Sequence, residues 1–170
     1  MLCLGHIQVY TKPDIMMNSF RKISASCFLI ISATLMIACQ PQAPDRIYEK
    51  ESPYTFQDTI LNLDVAISEY NYRIIHRSHI GQAVRDRGDT DFPLSTITSF
   101  CNITYAKEMM LINPVLINDM PCNIGVRQTS DNKVIVSTKF MDETVSNPDQ
   151  LDFAKKINTN LKGIIGATIE

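Results

Sequence analysis

The chain has 170 residues and carries 16 lysines and arginines against 18 aspartates and glutamates, a formal net charge of −2. That length suits one domain with a short appendage. A weakly acidic balance without a basic stripe excludes a nucleic-acid footprint, and no Gly-x-Ser-x-Gly elbow, His-Glu-x-x-His motif or phosphate-binding loop marks a common hydrolase or nucleotide site.

Residues 1–15, MLCLGHIQVYTKPDI, read as neither leader nor domain, and the true start is expected at Met16 or Met17. Residues 16–38 read as a lipoprotein signal peptide. Arg21 and Lys22 precede a 16-residue uncharged stretch, Ile23 to Ala38, the basic-then-apolar-then-small order of a secretory leader. Sixteen residues are short of the roughly 20 that a spanning helix needs. The end of the stretch, Met36-Ile37-Ala38-Cys39, resembles a bacterial lipobox. That resemblance implies lipidation of Cys39 and a membrane as the first partner, held through the acyl chains. Gln40, rather than aspartate, follows Cys39. By similarity to enterobacterial sorting, this points to the outer membrane of the cell envelope, facing the periplasm.

Residues 39–53, with Pro41, Pro44 and Pro53, are expected to form a tether, though Ile47 and Tyr48 can already open an edge strand. The mature chain from Cys39 would hold 132 residues, 13 basic and 17 acidic, for a net charge of −4. Residues 54–170 then form a single domain. Phe56, Ile60, Leu63 and Ile67 make one apolar stripe of a helix, with Thr55 and Asp58 as a partial capping box and Asn71 at a left-handed exit. Tyr72 to Ile75 reads as a strand. His79 to Pro93 is a polar excursion with a helical turn, and Thr96 to Asn102 is a second strand.

Tyr105 to Asn113 is a short apolar helix stopped by Pro114. Cys122 to Val126 and Val134 to Ser137 alternate as a hairpin, and Asp131-Asn132 between them suits a type I′ turn. Asn147, Pro148 and Gln150 start a last helix. Its apolar face is Leu151, Ala154, Ile157, Leu161 and Ile165, and Gly163 or Gly166 is expected to end it. The order strand, helix, four strands with a helical insertion, helix implies an α+β fold: one antiparallel sheet with two helices on one face.

The stretch FCNITYAKEMMLINPVLINDMPCNIGVRQTSDNKVIVS, Phe100 to Ser137, resembles the signature of domain of unknown function 302. Phe100, Asn102, Met109, Met110, Pro114 and Pro121 match that pattern. Cys101 stands for its glycine, Ile103 for its proline and Met120 for its leucine. Upstream, Phe56 to Tyr72 resembles the family's first helix, with Asn71 in place of a glycine, and the likeness spans roughly Pro53 to Phe140. It implies a single copy of the TATA-box-binding-protein-like fold, again strand–helix–four strands–helix, and a tendency to form a homodimer. It lends no settled activity and no cofactor, and the fold's name is no reason to expect nucleic acid as a partner.

Cys101 and Cys122 are the mature thiols besides Cys39. In an oxidising envelope they are either a disulfide or two separate buried thiols. A catalytic dithiol lacks Cys-x-x-Cys spacing and an evident activating partner. His76 and His79 supply two metal ligands without a third nearby, so no metal site is assigned, and Met109, Met110 and Met120 are read as packing before copper ligands. The helix Tyr105 to Ile112 is apolar nearly all round. Its surplus, above all Met109 and Met110, is expected to line a ligand cavity or a dimer seam, with the Tyr105 hydroxyl at the mouth. Two functional classes follow: a non-enzymatic binding module for a partner protein or small apolar ligand of unknown identity, or a thiol-dependent enzyme or redox protein using Cys101 and Cys122.

Overall fold

A computed structural model describes residues 46–170. The leader, Cys39 and the first part of the expected tether lie outside the described residues. Five strands and four α-helices follow in chain order: β1 Ile47–Ser52, α1 Phe56–Glu69, β2 Arg73–Ser78, α2 Ile80–Arg85, β3 Ser95–Cys101, α3 Ile103–Ile112, β4 Cys122–Gln128, β5 Val134–Lys139 and α4 Pro148–Ile169. A 3₁₀ turn, Pro114–Asp119, separates α3 from β4. The last residues expected as tether, 47–52, are therefore strand. All neighbours are antiparallel in the sheet order β1-β5-β4-β3-β2, and α1 and α4 lie side by side on one face. The α+β expectation holds.

The core lies between that face and the two long helices. Leu63 and Ile67 of α1, Phe100 of β3, Ile124 of β4, Val136 of β5 and Ile164 and Ile165 of α4 are fully buried. Local chemistry sets the boundaries. The Thr55 hydroxyl accepts the Asp58 N–H at 3.2 Å and donates to the Asp58 carboxylate at 2.7 Å. Asn71 has φ of 67°, the left-handed turn that lets the chain reverse from α1 into β2. The Asn147 side chain accepts the Gln150 N–H at 3.1 Å. The Gln150 side chain does not reach back to close the box; it accepts from Asn113 instead, at 3.3 Å.

Three further expectations are corrected. The last helix does not stop at Gly163 or Gly166 but runs on to Ile169. Gly163 serves packing, since a Cβ there would run into the ring and hydroxyl of Tyr70, the C-cap of α1. Buried Ile164, Ile165 and Thr168 also give the C-terminal turns a core face that outweighs the roughly 1 kcal/mol helix cost of each glycine. The hairpin turn is not type I′, because only Asn132 has positive φ, 64°. The Asn132 N–H donates to Thr129 O at 3.0 Å and the Thr129 N–H to Lys133 O at 2.9 Å, the pattern of a type I turn closed by one left-handed residue. Finally, α3 begins at Ile103, two residues before its expected start. The Asn102 side chain caps it, accepting from the N–H groups of Thr104 and Tyr105 at 2.9 and 3.2 Å.

Behind β5 the chain is held by one buried amide. Asn158 of α4 accepts the Met141 N–H at 2.8 Å, donates to Met141 O at 3.1 Å and donates to the Glu143 carboxylate at 2.7 Å. Its removal would leave the backbone of Met141 unpaired at the edge of the core, where each orphaned group costs about 1–3 kcal/mol. Asn158→Ala is therefore expected to lower stability by roughly 2–4 kcal/mol. Asn147→Ala, which removes only an exposed cap, should cost about 1 kcal/mol. Urea unfolding of the two variants checks the difference.

Candidate functional site

Antiparallel neighbours β3 and β4 are joined not by a hairpin turn but by the 20 residues from Asn102 to Pro121. This connection carries α3 and the 3₁₀ turn past the end of the sheet and over α4. A cavity of about 210 Å³ lies beneath it. Its apolar wall includes Tyr72, Tyr105, Met109, Phe153, Ile157 and Leu161, and Arg46, Asn102, Asp119, Asn123 and Lys139 contribute polar groups. Organic ligand pockets usually measure about 300–1,000 Å³, so this one suits a ligand smaller than a drug.

Each wall has a local cause. Phe100 is fully buried at the end of β3. Tyr72 meets it edge-on with ring centres 5.3 Å apart, and Tyr105 leans on Tyr72 at 5.8 Å. Asn102 both caps α3 and donates to Asn71 O at 2.9 Å, which fixes the start of the helix against the α1–β2 turn. Lys156 of α4 pairs with Glu108 of α3 at 2.5 Å and lies over the Tyr105 and Phe153 rings at 4.9 and 5.0 Å. At the far rim the Phe140 N–H donates to Arg46 O at 2.7 Å, so the first described residue borders the cavity.

The residues singled out from sequence divide here. Tyr105 and Met109 line the cavity, and Met109 is only 4% exposed. Met110 does not; it points outward with Ile103 and Leu111, which are 82% and 76% exposed. Cys101 and Cys122 both line the cavity as free thiols. They stand on neighbouring strands, but the residue paired with Cys122 is Phe100, not Cys101. His76 bonds Ser78 at 3.0 Å, and the His79 ring faces the Thr96 hydroxyl at 3.3 Å. Among the described residues no three His, Cys, Asp or Glu side chains gather to hold a metal. Sequence reasoning missed Met141, Phe153 and the rim residues Arg46 and Lys139, because each reaches the site only through strand pairing or helix docking.

Burial favours the protonated forms of the two thiols and of the Tyr72 phenol. Burial pushes the Cys122 thiol up to about 11 from its ordinary 9.0, with nearby Cys101 adding to it, and burial also raises Cys101. Burial likewise lifts the Tyr72 phenol to about 12, against the lowering effect of the Asn160 amide that donates to it at 3.1 Å. At neutral pH, Cys122 is a neutral thiol, the opposite of an activated nucleophile.

The folded state holds the Cys122 proton more tightly than the unfolded chain does. Its contribution to stability is therefore complete below pH 9 and is lost as pH rises through about 11. The tighter hold on that proton is worth roughly 3 kcal/mol. Urea midpoints should fall steadily across that window in the parent, and Cys122→Ser should flatten the fall. Parallel curves for the two proteins would contradict the assignment.

The model for the family described as Domain of unknown function DUF302 matches residues 48–168. None of the curated proteins matches the chain. Among solved structures, the chain is similar to one titled "Crystal structure of uncharacterized conserved protein DUF302 from Bacillus stearothermophilus". That match has a TM-score of 0.67 and 15% sequence identity, and covers 73% of this chain and 98% of that one. The Bacillus chain is thus almost wholly this fold. Because that family model covers most of the chain, residues 48–168, the chain belongs to the DUF302 family.

Proposed function

We propose that this protein is a non-enzymatic binding module, displayed from the bacterial envelope by a lipid anchor at Cys39, whose cavity receives a small ligand with a mainly apolar body. The observation that carries this reading is the cavity itself, walled by tyrosine, phenylalanine and aliphatic side chains and bordered by the cations Arg46 and Lys139. The cations favour a ligand with a carboxylate or similarly polar end. The thiol-enzyme alternative draws no support from the site, because burial raises both thiols instead of activating them. A partner protein or a second copy has a separate basis: Ile103, Leu111, Val115 and Ile117, on α3 and the 3₁₀ turn, are exposed large apolar side chains.

Two measurements test this reading. Thermal unfolding with hexanoate and with 1-hexanol should show stabilisation, which reaches about 2.7 kcal/mol when the ligand is at 100 times its Kd. Ala106→Phe, which fills the cavity, should abolish it, whereas Met110→Phe on the outer face should not. Equal stabilisation of both variants, or none in the parent, would count against the cavity as the binding site. For the anchor, metabolic labelling with a palmitate analogue should mark the parent and not Cys39→Ala; equal labelling would remove the lipoprotein reading.

A further inference from the structure

The connection between β3 and β4 exposes more apolar surface than its cavity explains. Of the twelve large hydrophobic side chains exposed among the described residues, five lie within it: Ile103, Met110, Leu111, Val115 and Ile117. The other seven are spread from Ile47 to Ile97. Helix geometry turns the α3 members into a stripe. At about 100° per residue, Ile103, Lys107, Met110 and Leu111 fall within about 100° of one another, and all four are exposed. Tyr105 and Met109 point the opposite way and line the cavity. An amphipathic helix needs one apolar stripe for the core; α3 carries a second one that faces water.

The chain enters the domain at this same end of the sheet. Ile47 pairs with Lys139, Thr138 with Ile124, and Cys122 with Phe100. The start of β1, the end of β5, the start of β4 and the end of β3 therefore lie together, and the connection springs from that end. Arg46 and Tyr105 line the same cavity. Seven residues lead from Cys39 to Arg46, a reach of at most about 25 Å when fully extended. β1 then carries the chain about 20 Å away, toward the hairpin end. An acyl anchor at Cys39 would hold the α3 end of the domain nearest the bilayer.

We propose that the outer stripe of α3, together with Val115 and Ile117 of the 3₁₀ turn that follows, docks on the surface of a phospholipid bilayer. The inference rests on the lipid anchor proposed above and adds to it a second, non-covalent contact with the membrane. The apolar side chains enter the boundary between headgroups and acyl chains, as those of interfacial helices do. Lys107, in the middle of the stripe, lays its aliphatic stem along them and returns its ammonium to the headgroup phosphates. Arg46 and Lys139 at the cavity rim add charge of the same sign, opposed by Asp119, so anionic headgroups are favoured. A second copy of the chain is the rival cover for these side chains, and it would bury them against protein instead of lipid.

The chain contains no tryptophan, so a single introduced one reports only its own position. Leu111→Trp places it in the stripe, and Val65→Trp places it at an exposed apolar position of α1. The full chain carrying either change is expressed in bacteria, purified from their membranes and reconstituted into vesicles of phosphatidylcholine and phosphatidylglycerol, with or without brominated acyl chains. Bromine quenches only a ring that enters the lipid. Leu111→Trp is expected to lose most of its emission in the brominated vesicles, and Val65→Trp to keep it. Adding Ile103→Glu, a change at an exposed site, should restore the emission of Leu111→Trp. Quenching of neither tryptophan, or of both alike, would overturn the proposal. So would a blue-shifted Leu111→Trp emission that bromine leaves untouched, with a dimer in sedimentation, which would assign the stripe to a second copy. Palmitate labelling separates this proposal from the anchor. A labelled protein with unquenched Leu111→Trp loses the docking and keeps the anchor, whereas an unlabelled one loses both.

Discussion

The site exists because two paired strands are not joined directly. Adjacent antiparallel strands can be closed by a two-residue turn, as β4 and β5 nearly are. Between β3 and β4 the chain inserts a helix and a 3₁₀ turn, and everything distinctive about this end of the domain follows. Asn102 fixes the geometry with one side chain: its oxygen caps α3 and its amide nitrogen holds Asn71 O. Tyr105 and Met109 on the inner face of α3 therefore come down beside Tyr72 and Phe100. The outer face, with Ile103 and Leu111, is left to solvent. Glu108 and Lys156 tie the helix to α4 across the cavity, and Asn158 holds Met141 in its far wall.

The sequence reveals what depends on neighbours along the chain. The α1 stripe, the Asn71 reversal, the Asn147 cap and the alternation of β4 and β5 are local signals, and each element forms where its signal stands. The misjudged details have tertiary causes. Gly163 looks like a helix stop until Tyr70 is seen against it, and burial of the following isoleucines carries the helix past both glycines. Asp131-Asn132 looks like a type I′ pair, but one left-handed residue suffices when Thr129 bonds across the loop. For the site, the excess apolarity of α3 marks Tyr105 and Met109 correctly. It cannot divide Met109 from Met110, since helix phase relative to the sheet is set by docking. Arg46, Lys139 and Met141 arrive by strand pairing from far along the chain and carry no local mark.

Membership in the DUF302 family fixes the fold and leaves the chemistry to the residues of this chain. In our proposal those residues serve binding. Burial holds Cys122 and Tyr72 protonated, and the cavity has an apolar wall of Tyr72, Tyr105, Met109, Phe153, Ile157 and Leu161. A cavity with those walls offers an organic molecule van der Waals contact. Display from a membrane would suit that role, because a tethered binder gains effective concentration without new contacts.

The proposed ligand binding requires an accessible cavity at the end of the sheet, walled by Met109, Met120 and Met141 and not by Met110. From Gln40 onward these four are the only methionines, so their methyl groups give four resolvable signals in a carbon-13 methionine-labelled sample. Xenon enters open apolar cavities whatever their natural ligand. Under xenon pressure the methyl resonances of Met109, Met120 and Met141 are expected to shift while that of Met110 stays in place. Four unmoved resonances, or a Met110 shift as large as the others, would contradict an open cavity with those walls.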